Sequence, residues 1–102
     1  MPFEHLIPRP FTSGAVRTYA PTSSGVYGIS NAREWIYIGA ADSIQRALIA
    51  HLNALDSPLM KRKPTGFVFE VCDRTRWRSR QDHLIREYTP VCTAHGEQWS
   101  KS

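Results

Sequence analysis

Arg74, Arg76, Arg78 and Arg80 alternate with Thr75, Trp77 and Ser79. Extended, this run makes one basic face; helical, it makes two i,i+4 pairs. Together with Lys61, Arg62, Lys63 and Arg86 it could form a phosphate-binding stripe, since a cation that neutralises a phosphate releases a condensed counterion. Trp77 is then available to stack on a base. The competing reading is a solvated face balanced by Glu70, Asp73 and Asp82. Cys92 and His95 have ligand-like spacing, with Cys72 and His83 as further candidates. A zinc site usually shows two close ligand pairs, and only one loose pair is present, so a small thiol and surface imidazoles are the simpler reading. Nothing marks an activating histidine for a cysteine nucleophile. His83 and Glu87 stand one turn apart and read as a surface pair. His51 falls inside an apolar stripe, where a histidine satisfied by one hydrogen bond is the general expectation.

The elements that must position these groups follow from periodicity and punctuation. Residues 1–23 hold four of the seven prolines and read as an irregular arm. Its apolar residues Phe3, Leu6, Ile7 and Phe11 pack it onto the body, and an extended arm covering a sheet edge is the expected arrangement, with a partner-binding arm as the alternative. Ser24–Ser30 and Glu34–Gly39, rich in β-branched and aromatic residues, form a hairpin around Asn31-Ala32-Arg33. Alternation places Tyr27 with Gly25 and Ile29, and Tyr37 with Trp35 and Gly39. A helix is expected from Ser43 to Leu55, with Asp42 as N-cap, Gln45 closing a capping box, and Asp56-Ser57-Pro58 ending it. Ile44, Ala47, Leu48, His51, Leu52 and Leu55 form its apolar stripe. Lys61-Arg62-Lys63-Pro64 reads as a basic loop, Gly66–Cys72 as a third strand, and Trp77–Tyr88 as a second helix. The tail, 94–102, is polar, with Trp99 as an anchor.

The chain has 102 residues, the length of one domain. Apolar residues make up 41% and charged residues 22%, ordinary globular usage that excludes collagen, low-complexity disorder and coiled coils. Two cysteines are too few for a disulfide scaffold. No apolar run reaches the length of a membrane span, and the N-terminus lacks the pattern of a signal peptide, so the cytoplasm is the expected compartment and no membrane partner is expected. Thirteen Lys and Arg against nine Asp and Glu leave a charge of +4, which permits a nucleic-acid partner without demanding one.

Gly25-Val26-Tyr27 followed by Tyr37-Ile38-Gly39 resembles the paired signature of the GIY-YIG nuclease superfamily. Either triplet alone reads as ordinary hairpin packing; the two in this order and separation are far more specific. The second triplet leads into a helix carrying His51, and the later helix ends Leu84-Ile85-Arg86-Glu87-Tyr88-Thr89-Pro90, as in that family. The resemblance covers about Ser24 to Thr93. It implies an α/β fold: a small three-stranded, mostly antiparallel sheet flanked by helices, in the order β-β-α-β-α. It implies metal-dependent cleavage of a DNA phosphodiester, in which a tyrosine of the pair helps activate water, an arginine on the first helix holds charge on phosphorus, and a glutamate on the later helix binds Mg²⁺. Tyr27, Tyr37, His51 and Gln81 are the cleft positions on this resemblance.

Three positions depart from the family's pattern, one of them Thr93, where the resemblance implies an asparagine three after Pro90. The arginine position, eight after Gly39, is Ala47. Arg46 is one residue early, about 100° around a helix, on the solvated side. The glutamate position is Gln81, with Asp82 rotated by the same step. An amide oxygen adds no negative charge for a hard cation. The expected function is therefore a nucleic-acid-interacting GIY-YIG domain with weak or lost endonuclease activity and no certain cofactor, Mg²⁺ entering only if the nuclease alternative holds. The alternatives are an active endonuclease with a rearranged site, using Arg46 and Asp82 with Mg²⁺, and a protein-interaction module that keeps only the fold. Arg46, Lys61, Arg62, Lys63, Arg74, Arg76, Arg78 and Arg80 are the candidate contacts to nucleic acid, most simply DNA.

Overall fold

The computed structural model describes residues 8–92. Eight elements follow one another: β1 (Arg9–Pro10), α1 (Ser13–Tyr19), β2 (Gly25–Ser30), β3 (Trp35–Ala41), α2 (Ile44–Asn53), α3 (Pro58–Lys61), β4 (Gly66–Val71) and α4 (Arg74–Tyr88). The sheet has four strands in the order β1-β4-β2-β3, and every neighbouring pair is antiparallel. The expected three strands are all present, and the fourth comes from the N-terminal arm. Arg9 pairs with Phe67 and Pro10 with Gly66, so the arm does cover the free edge of β4. A proline, with no N–H for the ladder, is tolerated at such an edge.

The arm is not irregular throughout. Thr12 caps α1, its side chain accepting from Ala15 N at 3.2 Å. Val16 is fully buried and Phe11 and Ala20 nearly so, and this burial stabilises a seven-residue helix that propensity alone would not. Phe3, Leu6 and Ile7, like Thr93 and the tail with His95 and Trp99, lie outside the described residues.

Helices cover both faces of the sheet. One face buries Tyr27, Ile29, Ile36 and Phe67 against Val16 of α1, Ile44 and Leu48 of α2 and Leu59 of α3. The other buries Val26, Ile38 and Val68 against Leu84 of α4. The hairpin register shifts between Ile29 and Ser30: Ile29 faces Tyr37 but Ser30 faces Trp35. This irregularity corrects the expected alternation. An extra residue on one strand breaks the period of two, so Trp35 leaves the Tyr37 face. It packs instead with the α4 side, its ring 4.6 Å from that of Tyr88.

Local caps also differ from expectation. Ser43, not Asp42, caps α2, its hydroxyl accepting from Arg46 N at 3.2 Å. Asp42 instead receives two hydrogen bonds from Arg74, at 2.6 and 2.8 Å. Ser57 and Pro58 do not merely end α2. Ser57 caps α3, with Pro58 in its first turn, so the basic segment begins on a helix. Asp73 caps α4, which starts at Arg74, three residues before the expected Trp77. Thr89 ends it in the left-handed region at φ 45°, and Pro90 follows. Among the described residues, no helix is long and apolar enough to cross a membrane.

Candidate active site

Tyr27 and Tyr37 stand on adjacent antiparallel strands, and both side chains belong to the face covered by α2. Gly39 is the direct partner of Tyr27 across the ladder. A Cβ on Gly39 would lie 2.6 Å from the Tyr27 Oη and 2.7 Å from a Tyr37 ring carbon. The glycine of the second triplet is therefore the floor on which both phenols rest. The glycine of the first triplet has a different reason: a Cβ on Gly25 would lie 2.3 Å from the Glu70 carbonyl and 2.8 Å from Ile44. It lets β2 carry both β4 and the start of α2.

Ile44 and Leu48 bury one face of α2, and this turns His51 toward the tyrosines. The His51 Nε2 lies 2.9 Å from the Tyr27 Oη. Ring centroids are 4.9 Å apart for Tyr37 and His51 and 6.0 Å for the two tyrosines. Tyr27 is 3% exposed, while Tyr37 and His51 are half-buried. Solvent thus reaches the cluster by way of Tyr37 and His51, with Tyr27 behind them. A phenol and an imidazole within hydrogen-bond reach can pass a proton between them.

Burial pushes the His51 pKa below its ordinary 6.5, because the charged ring loses hydration. The folded protein holds this imidazole neutral near pH 7, with Nε2 able to accept the Tyr27 hydroxyl proton. The unfolded chain binds the proton more readily. Stability from His51 is therefore complete above about pH 6.5 and is lost as pH falls toward and through the lower folded value. The thermal midpoint should fall on acidification from about pH 7 to about pH 5 more steeply in the native protein than in His51→Gln. Equal slopes in the two proteins would show that burial of the ring does not govern its titration.

Gln81 does not join this cluster through any hydrogen bond to it. It sits on α4, the helix of the opposite face, and its Nε2 donates to the Ile38 carbonyl at 3.2 Å. This places it at the outer edge of β3, beside the middle residue of the second triplet. The same edge receives Val91 N on Trp35 O at 3.0 Å and Cys92 N on Ile36 O at 2.7 Å. Ala47, one turn before His51, is half-buried and packs against the Tyr27 core. Arg46 is exposed.

The basic residues do not form one stripe. Gly66, at the start of β4, pairs with Ser30, and Val71, at its end, pairs with Gly25. Lys61–Lys63 precede β4 and Arg74–Arg80 follow it, so six strand residues separate the groups, roughly 20 Å. Arg80 grips Glu70 at 2.6 and 2.7 Å, and Arg74 grips Asp42 as above. Arg62 lies 3.6 Å from Glu34. Lys61, Lys63, Arg76 and Arg78 are exposed. The indole Nε1 of Trp77 is buried with no hydrogen-bond partner, the residue as a whole is half-buried, and the Arg74 guanidinium lies 5.6 Å from its ring centroid. His83 and Glu87 do form a pair, at 3.5 Å. Cys72 and Cys92 are both half-buried and are not joined in a disulfide. Sequence reading missed the Asp42–Arg74 pair, whose members are 32 residues apart, and no local signal announces it.

No protein-family model matches the chain, and no curated protein does. Solved structures do. The GIY-YIG N-terminal endonuclease domain of UvrC from Thermotoga maritima, bound to magnesium as its catalytic divalent cation, is similar over 74% of this chain and 92% of its own length. The TM-score is 0.63 and the identity 24%. A tyrosine-to-phenylalanine point mutant of that domain is similar at TM-score 0.63 and 24% identity, over 74% of this chain and 91% of its own. The chain has the GIY-YIG fold. In this chain the residues at the expected positions do not fit the cation that the UvrC domain holds. The position that the resemblance assigns to the metal carboxylate carries a neutral amide, and that amide turns its N–H toward a backbone carbonyl. Among the described residues, no three His, Cys, Asp or Glu side chains gather into a site that could hold a metal.

Proposed function

We propose that this is a divergent GIY-YIG domain that interacts with nucleic acid and whose endonuclease chemistry is weak or lost. One observation carries this reading. The Tyr27–Tyr37–His51 cluster is assembled, while the two positions that should flank it with charge hold Ala47 and Gln81. The cluster can handle a proton, but nothing beside it at those positions stabilises the charge that builds on phosphorus. Removal of one preorganised donor typically lowers a rate by about 10²–10³. Loss of the metal carboxylate removes several more kcal/mol of charge stabilisation. The net charge of +4 supports a polyanionic partner.

The test is a supercoiled-plasmid assay on the unmodified chain with Mg²⁺ and with Mn²⁺, beside a binding assay on the same DNA. Retained binding without chelator-sensitive nicking is the expected result. Robust nicking abolished by chelator would overturn the loss of chemistry. Absence of binding at low salt would overturn the nucleic-acid reading.

A further inference from the structure

We infer that nucleic acid lies on the face built by α1, α2 and α3, held by Arg17, Arg46, Lys61 and Lys63, and that Arg74 and Arg80 of α4 serve the fold. The inference rests on the nucleic-acid reading above and names the surface that reading leaves open. The observation is how charge divides between the two sides of the sheet. Residues 8–20 and 44–63, which form the edge strand β1 and the helices of the tyrosine face, carry six cations: Arg9, Arg17, Arg46, Lys61, Arg62 and Lys63. Their only carboxylate is Asp56. Residues 70–88 carry five arginines against Glu70, Asp73, Asp82 and Glu87, and Asp42 reaches over to Arg74. The arginine-rich helix, the most basic stretch by sequence, is thus electrically balanced. The excess of positive charge among the described residues lies on the side of Tyr27, Tyr37 and His51.

Pairing sharpens the contrast. A guanidinium already held bidentate by a carboxylate has little to offer a phosphate, because the two acceptors compete for the same fork. Arg74 and Arg80 are both held in this way. All six cations of the other face are exposed, although Arg62 lies 3.6 Å from Glu34, and the segments that carry them are tied to their neighbours. Gln45 Nε2 donates to the carbonyls of Arg17 and Ala20, at 3.3 and 3.1 Å, and so ties the end of α1 to the α2 turn that carries Arg46. Asn31 Nδ2 donates to the Arg62 carbonyl at 2.9 Å, and Lys63 N to Met60 O at 3.1 Å, which anchors the basic segment. Tyr19, 46% exposed with the Arg9 guanidinium 4.0 Å above its ring, adds an aromatic–cation pair of the kind used to stack bases. Phosphate contacts beside a stacking ring suit a nucleic acid better than an acidic protein surface.

The test measures fluorescence anisotropy of a labelled single strand of about 20 nucleotides and of the corresponding duplex across a salt titration. The native chain should show a log K against log salt slope of roughly −4 on duplex. The quadruple variant Arg17→Ser, Arg46→Ser, Lys61→Ser, Lys63→Ser should bind at least about 100-fold more weakly at low salt, with a slope flattened by about 3 units. Arg76→Ser with Arg78→Ser should stay within about 3-fold of the native chain. All substituted side chains are exposed, and circular dichroism melting verifies that each variant is folded. If the native chain binds but the loss follows the α4 variant, the face assignment is overturned while the nucleic-acid reading stands. If polyglutamate of equal charge binds as tightly as DNA, the partner class is overturned. If the native chain binds no nucleic acid even at low salt, the underlying reading falls, and this inference with it.

Discussion

The double substitution Ala47→Arg with Gln81→Glu is expected to produce chelator-sensitive, Mg²⁺-dependent nicking of plasmid DNA, at least about 10²-fold faster than any background of the unmodified chain. The reasoning joins the departures at Ala47 and Gln81. Ala47 lies one helical turn from His51 on the side packed toward the tyrosines, so a guanidinium there borders the cluster. Gln81 lies at the β3 edge beside Ile38, and a carboxylate cannot donate to the Ile38 carbonyl. The single Gln81→Glu should therefore cost about 1 kcal/mol of stability and leave a charged group seeking a cation. Each single variant should recover far less activity than the pair, because groups that act on one transition state are not additive. A folded double variant without cleavage would show that these two positions do not limit the chemistry. Robust cleavage by the unmodified chain would show that they were never needed.

The second large effect is on stability. Gly25→Ala should destabilise the protein by about 3 kcal/mol, near the upper end for overpacking, and lower the thermal midpoint by about 15 °C. A Cβ at this site meets a backbone oxygen at 2.3 Å and a backbone Cα at 2.9 Å. Neither can move without parting β2 from β4. Gly14→Ala is the control, since nothing lies within 4 Å of a Cβ there and alanine suits a helix better than glycine. Gly39→Ala meets the two tyrosine rings, which are side chains and can yield. It should destabilise less than Gly25→Ala but pull the Tyr27 hydroxyl off His51. Equal melting of Gly25→Ala and the native chain would overturn the packing account of the first triplet.

What could be read from the residues depended on range. The hairpin, α2, β4 and α4 were legible because β-branched runs, a 3.6-residue apolar stripe and proline or glycine breaks are local signals. The tyrosine pair and His51 were legible for a related reason. The resemblance to the GIY-YIG pattern implied that the tyrosines and His51 share a cleft, and Tyr27 and His51 do lie 2.9 Å apart. The helix α1 was hidden by the prolines around it, and its seven residues depend on burying Val16 rather than on propensity. The short helix α3 was hidden because Ser57-Pro58 reads equally as a stop and as a start. One irregularity in the hairpin register moved Trp35 to the other face, and no residue type announces such a slip.

The sequence by itself determined the class of fold, the paired tyrosines with their glycines, and the absence of arginine and glutamate at positions 47 and 81. These are properties of residue identity and of spacing along the chain, and they hold before any folding. The tertiary structure decided that Gln81 stands at a strand edge, that the arm supplies a fourth strand, and that the arginine-rich helix is neutralised while a less conspicuous face keeps its charge. Each of these depends on which groups meet across long sequence separations, 32 residues for Asp42 and Arg74 and 43 for Gln81 and Ile38. A charge counted along the chain is only a sum. The field that a partner meets depends on which of those charges packing has already paired.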